Sequence, residues 1–168
     1  MNIPTDSELW TRFKAGDRDA FSILYKRYFP AMYAYGNSLS IDTDYVKDAI
    51  QEIFMNLYFN NKIEIVGNSL KFYLLRAVKN KLLDILRGKK ESIDISECEY
   101  TFTINFTIED KIMEDEEYSS IKKQVSEMLS TLTNRQKEIM YLRYIEEMDY
   151  ETIARLMDMK VQSVRNII

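Results

Sequence analysis

The sequence predicts an all-α protein made of two small helical domains joined by an acidic linker. Composition gives the first reason: 168 residues contain only 4 Gly and 2 Pro but 46% hydrophobic side chains, a profile of helices rather than turn-rich sheet. Periodicity gives the second, because apolar residues recur at three- and four-residue spacing over most of the chain. Charge gives the third. Residues 1–90 hold 14 basic and 10 acidic side chains, residues 91–117 hold 1 and 10, and residues 118–168 hold 8 and 7. The expected organisation is a first domain over 1–90, a linker of net charge −9 over 91–117 and a second domain over 118–168.

Several function classes are poorly supplied. One Cys and no His leave structural zinc without ligands and Ser-His or Cys-His catalysis without a base, so no metal, no cofactor and no enzymatic activity are expected. Cys98 reads as a reduced thiol of a cytoplasmic protein. No apolar run approaches the ~20 residues of a membrane span, and MNIPTDSELW lacks the basic-then-apolar form of a signal peptide.

In chain order, Leu9, Trp10 and Phe13 predict a short helix ending near Gly16. Phe21, Leu24, Tyr25 and Tyr28 form the next stripe, and Pro30 predicts a kink or a fresh start before Met32, Tyr33 and Leu39. DYVKDAIQEIFMNLYF divides into two faces. Ile50, Ile53, Phe54 and Leu57 form a buried stripe, while Asp48, Gln51, Glu52 and Met55 lie opposite. After a loop at 60–68, SLKFYLLRAVKNKLLDILRGKK predicts a long helix ending before Gly88, with Phe72, Leu75, Leu82, Ile85 and Leu86 inward. Its outer surface carries Lys71, Tyr73, Arg76, Lys79, Asn80 and Arg87. Seven cations against Asp84 within residues 71–90, with an aromatic interleaved, suit a nucleic-acid backbone; the bland reading is a solvated helix face.

Within the linker, TFTINFTI alternates strictly, with Phe102, Ile104, Phe106 and Ile108 on one side. The segment is expected to lie extended against a domain or a partner, since an isolated strand is unstable. Helical spacing returns with Ile121, Val125, Met128, Leu129 and Leu132. Thr133 and Gln136 form a capping-box pattern opening a helix whose core face includes Ile139, Met140, Leu142 and Tyr144. The last residues then show helix-turn-helix spacing, with Ile153, Ala154, Met157, Met159, Val164 and Ile167 at burial positions. Asp158 stands where such a turn usually has glycine, although Asp tolerates left-handed backbone, and Lys160 stands where Ser or Thr would cap the next helix. Gln162, Ser163, Arg165 and Asn166 are then positioned to meet base edges in a major groove.

These segments, in this order, resemble an RNA polymerase sigma factor of the extracytoplasmic-function (ECF) type over nearly the whole chain. FSILYKRYFPAMYAYG resembles the opening helices of the first conserved domain, VKDAIQEIFMNLY its core-binding helix and KFYLLRAVKNKLLDILR its promoter-melting helix. LSTLTNRQKEIMYLRYIE and YETIARLMDMKVQSVRN resemble the second. The resemblance implies a sigma region-two domain over 1–90 and a sigma region-four domain over 118–168. It implies that Asp48, Gln51, Glu52 and Met55 bind core RNA polymerase on the β′ clamp coiled coil. Lys71, Tyr73, Arg76, Lys79, Asn80 and Arg87 would engage the minus-ten promoter element, with Asn80 and the 63–68 loop holding an unstacked base. Gln162, Ser163, Arg165 and Asn166 would read the minus-thirty-five element, and the second domain would also touch the polymerase β flap. An anti-sigma protein is an implied partner. In related sequences the recognition helix runs well past the equivalent of Ile168, so the chain is expected to be a truncated form.

Two other readings of the residues stay open. One is a stand-alone helix-turn-helix regulator, which would bind duplex DNA without polymerase. The other is a helical adaptor that binds protein alone, which would have no affinity for nucleic acid.

Overall fold

A computed structural model describes residues 4–39, 42–60, 69–89, 100–104 and 116–168. The described elements are α1 (Asp6–Lys14), α2 (Arg18–Ser38), α3 (Thr43–Phe59), α4 (Ser69–Lys89), α5 (Glu116–Ser130), α6 (Asn134–Tyr144), α7 (Tyr150–Leu156) and α8 (Val161–Arg165), with no strand among the described residues. The protein is all-helical and divides into two units, Met1–Tyr100 and Thr101–Ile168.

In the first unit α2 packs against α1, α3 and α4, and α3 against α4. A capping box opens α1: Thr5 Oγ1 accepts from the Glu8 amide at 3.3 Å and Glu8 Oε2 accepts from the Thr5 amide at 2.7 Å. Gly16, at φ 100°, makes the reversal that only glycine adopts freely, and Asp17 then caps α2 by accepting from the amides of Asp19 and Ala20. Asp6 ties α1 to α2, pairing with Arg27 at 2.5 Å and accepting the Tyr28 hydroxyl.

Two expectations change here. Of the kink or fresh start expected at Pro30, the fresh start does not occur. The helix runs unbroken through an exposed Pro30, because Tyr28 and Met32, 8% and 0% exposed, hold it to the core on either side. Likewise α4 runs through Gly88 to Lys89, where an added Cβ would meet nothing, so tight packing does not explain the glycine. The inner stripe of α4 is Leu70, Leu74, Leu75, Val78 and Leu82; Phe72, Ile85 and Leu86 are only half-buried.

In the second unit the Thr133–Gln136 capping box opens α6 as expected, with amide–side-chain bonds of 3.3 and 2.9 Å. The inner face of α6 differs from the expected one. Tyr141 is buried with Ile139 and Leu142, whereas Met140 is half-buried and Tyr144 is 60% exposed. The polar end of Tyr141 selects this register, since its hydroxyl donates to the buried Glu146 carboxylate at 3.2 Å. Burial, and then that carboxylate, raise the phenol's pKa, so it remains a donor. Met128 on α5 is 69% exposed rather than inward.

The alternating segment docks through Phe102. That side chain is fully buried beside Tyr141, with ring centroids 5.6 Å apart, and the Phe102 amide donates to Asn134 Oδ1 at 3.1 Å. Thr101 and Thr103 face solvent, as a two-residue period demands. Asn105, Phe106, Thr107 and Ile108 lie outside the described residues.

Candidate functional site

Three surfaces gather the candidate residues, the first on α3. Asp48, Gln51, Glu52 and Met55 are all exposed, opposite a buried stripe of Val46, Ala49, Ile50, Ile53, Phe54 and Leu57. The sequence separates the faces this cleanly because 48, 52 and 55 recur at four and three residues, one side of a helix. Asp48 and Gln51 have no hydrogen-bond or ion-pair partner among the described residues. Glu52 accepts from Lys81 of α4 at 2.6 Å. Lys81 escaped the sequence reading because its partner lies 29 residues away and no local pattern joins them.

The second surface is the outer side of α4. Asn80 and Arg87 are exposed, while Tyr73, Arg76 and Lys71 are half-buried. Residues 73, 76, 80 and 87 fall on one side by helical spacing. The Arg76 guanidinium lies 5.7 Å from the Phe72 ring centroid, which orients it without removing it from water, and Arg87 pairs with Asp84 at 2.9 Å. Lys79 departs from the expected surface. It is 8% exposed, with its ammonium 5.3 Å from the centre of the Tyr100 ring. A long aliphatic stem and a ring that attracts cations make that burial tolerable. The 63–68 loop, expected to work with Asn80, lies outside the described residues.

The third surface is the pair α7–α8. Ile153, Ala154, Leu156, Met157 and Val164 are buried at the crossing, while Met159 and Ile167 are half-buried. Asp158 takes φ 51°, the left-handed turn anticipated for it. Asp149 caps α7 by accepting from the Thr152 amide at 2.6 Å, while Lys160 supplies no side-chain cap to α8. Arg135 of α6 braces the turn, donating to the Met157 carbonyl at 3.1 Å and to Met159 Sδ at 3.2 Å. Of the candidate base-reading residues, Gln162, Arg165 and Asn166 are exposed and Ser163 is half-buried. Gln162 Nε2 donates to Asn166 Oδ1 at 2.9 Å, and Arg165 lies 3.4 Å from Glu151 and 5.7 Å from the Tyr150 ring centroid. These are exposed contacts of the kind that exchange readily for a ligand. Among the described residues no group of His, Cys, Asp and Glu could hold a metal ion, and no helix is long and apolar enough to cross a membrane.

Comparison with known proteins matches these surfaces to two family models. Sigma-70 region 2 matches residues 24–92, which include α3 and α4, and Sigma-70, region 4 matches residues 122–168, which include α6 to α8. The chain belongs to the sigma-70 family, as a sigma factor of the ECF type. The sigma factor is 22% identical to the ECF RNA polymerase sigma factor SigM of Bacillus subtilis (strain 168) over 146 residues, covering 86% of each protein. Its fold is similar to that of the solved structure of CnrH in complex with the cytosolic domain of CnrY, with a TM-score of 0.62 at 19% identity, covering 97% of this chain and 89% of that one. As a sigma factor it directs promoter recognition and transcription initiation, binding core RNA polymerase and promoter DNA. Proteins of this family are in general DNA-recognition factors rather than enzymes.

Proposed function

We propose that the sigma factor docks on the β′ clamp coiled coil of core polymerase through Asp48, Gln51, Glu52 and Met55, and on the β flap through its second unit. The observation that carries the first assignment is the α3 face itself. A solvated helix gains nothing for folding from Asp48 and Gln51, yet both stand in line with Glu52 and Met55. Tyr73, Arg76, Asn80 and Arg87, with Lys71 beside them, engage the minus-ten element. Asn80 meets an unstacked base and the arginines meet phosphates. Lys79 contributes its charge from beneath Tyr100, strengthening the local positive field without the direct contact expected from its sequence position. Gln162, Ser163, Arg165 and Asn166 read the minus-thirty-five duplex in its major groove.

Catalysis plays no part in this reading. The factor acts by differential binding: it holds polymerase at a promoter and favours opened strands over the duplex, offsetting an unstacking cost of a few kcal/mol. An anti-sigma protein would restrain it by covering the same faces. CnrH, whose fold is similar, is solved in complex with another protein's cytosolic domain, that of CnrY.

The test is Asp48→Lys. Core affinity should fall while helical content and melting stay unchanged, since exposed substitutions usually move stability by less than about 0.5 kcal/mol. Unchanged core affinity would remove the assignment.

A further inference from the structure

The α3 face continues beyond the residues assigned to docking. Counting on from Met55 by one helical repeat reaches Phe59, which is 75% exposed, while Met55 is 51% exposed. They are the two most exposed large hydrophobic residues described in the first unit. Residues 48, 52, 55 and 59 form one stripe at spacings of four, three and four, about 16 Å long at 1.5 Å per residue. Its first half is acidic and its second half apolar.

The magnitudes separate what each half can do. Exposed ion pairs are screened and contribute little to equilibrium affinity, so carboxylates on such a face mainly set approach rate and orientation. Stable docking needs a few well-buried anchors, and aromatic side chains are over-represented among them. Folding does not explain Phe59. Its ring meets Tyr58 edge-on at 5.3 Å, but three-quarters of the residue remains in water, and the aromatic packing within the unit runs through Phe21, Phe54 and Tyr58 instead.

We propose that Phe59, with Met55 beside it, is the apolar anchor of the core-polymerase docking face. The partner surface then offers an apolar pocket that takes the Phe59 ring and a cation facing Asp48, the Glu52 carboxylate being already paired with Lys81. The inference rests on the docking role proposed for α3 and assigns its affinity to a residue outside the acidic group. Charge complementarity fixes the direction of docking: the basic part of the partner lies over the N-terminal half of α3 and the apolar part over its C-terminal end.

The experiment measures association and dissociation of the full chain with purified core RNA polymerase for wild type, Phe59→Ala, Phe59→Gln, Phe59→Leu and Asp48→Lys. Circular dichroism serves as the fold control. Phe59→Ala and Phe59→Gln should each weaken binding tenfold or more, chiefly through faster dissociation, with helical content unchanged. Phe59→Leu should stay within about threefold of wild type, because it keeps an apolar occupant for the pocket. Asp48→Lys should act mainly on the association rate and its salt dependence. If Asp48→Lys weakens docking while both polar and small replacements of Phe59 leave it within twofold, the anchor is refuted and the docking face stands. If neither position matters, the α3 docking reading itself fails. A Phe59→Ala protein that binds core normally but loses affinity for single-stranded promoter DNA in the assembled holoenzyme would move Phe59 to the DNA surface and overturn the proposal.

Discussion

Gly36 lies too close to Val46 and Leu82 for an added side chain, and Gly36→Ala puts a number on it. An added Cβ would sit 2.5 Å from Val46 Cγ1, 3.3 Å from Leu82 Cδ1 and 3.4 Å from Val46 Cγ2. Carbon atoms in contact rest at about 3.5–4.0 Å, so the nearest pair overlaps by roughly 1 Å. Val46 cannot rotate away easily, because a β-branched side chain in a helix holds one χ1 state and this one is fully buried. Overpacking of this kind costs about 1–3 kcal/mol. Replacing glycine by alanine inside a helix returns up to about 1 kcal/mol, less here because Gly36 lies in the last turn of α2. The expected net loss is about 1–2 kcal/mol, equivalent to a melting point lower by roughly 4–16 °C for a unit of this size. Trp10, the single tryptophan and 5% exposed, reports unfolding of the first unit alone by fluorescence. Adding Val46→Ala should recover part of the loss, giving a coupling of more than about 0.5 kcal/mol in a double-mutant cycle. A Gly36→Ala protein as stable as wild type, or more so, would refute the close-approach argument.

Three further outcomes follow from the described geometry. Asn80→Ala should relax preference at one promoter position by roughly 1–3 kcal/mol, whereas Arg87→Ala should weaken all promoters alike and lower the salt slope by about one counterion, both read by competition binding to holoenzyme. Asp149→Ala should destabilise the second unit by about 1 kcal/mol, the usual cost of an N-cap. Hydrogen bonds to Thr152 hold the Asp149 pKa below its ordinary 3.8, so the contribution is complete above that value and disappears as pH falls through the lowered one; wild type and variant should converge in strong acid. Lys81→Ala should cost less than about 1 kcal/mol in thermal denaturation, because the Glu52 pair is 37% and 53% exposed, and high salt should shrink the difference.

The features visible in the sequence are those that local physics decides. Helical spacing, the Thr133–Gln136 capping box, the left-handed turn at Asp158 and the missing cap at Lys160 each depend on neighbours within a few residues. The two faces of α3 were legible for the same reason. What misled the reading depends on distant partners. Pro30 reads locally as a kink or a fresh start, yet no new helix starts there, because Tyr28 and Met32 hold α2 on both sides of it. Lys79 reads as surface, but Tyr100 lies over it. Tyr144 and Met140 look as suitable for the core as Tyr141, and distant partners such as Glu146 and Phe102 favour Tyr141 as the buried one. The link from Glu52 to Lys81 has no local signature.

The most direct test of the central claim is transcription by core RNA polymerase with and without this chain, on a library of linear duplex templates, followed by mapping of transcript 5′ ends. The account predicts that the chain concentrates starts at discrete sites sharing two upstream sequence elements, and that Asp48→Lys raises the chain concentration needed for this. Starts distributed as with core polymerase alone, at concentrations where the folded chain is in excess, would contradict it.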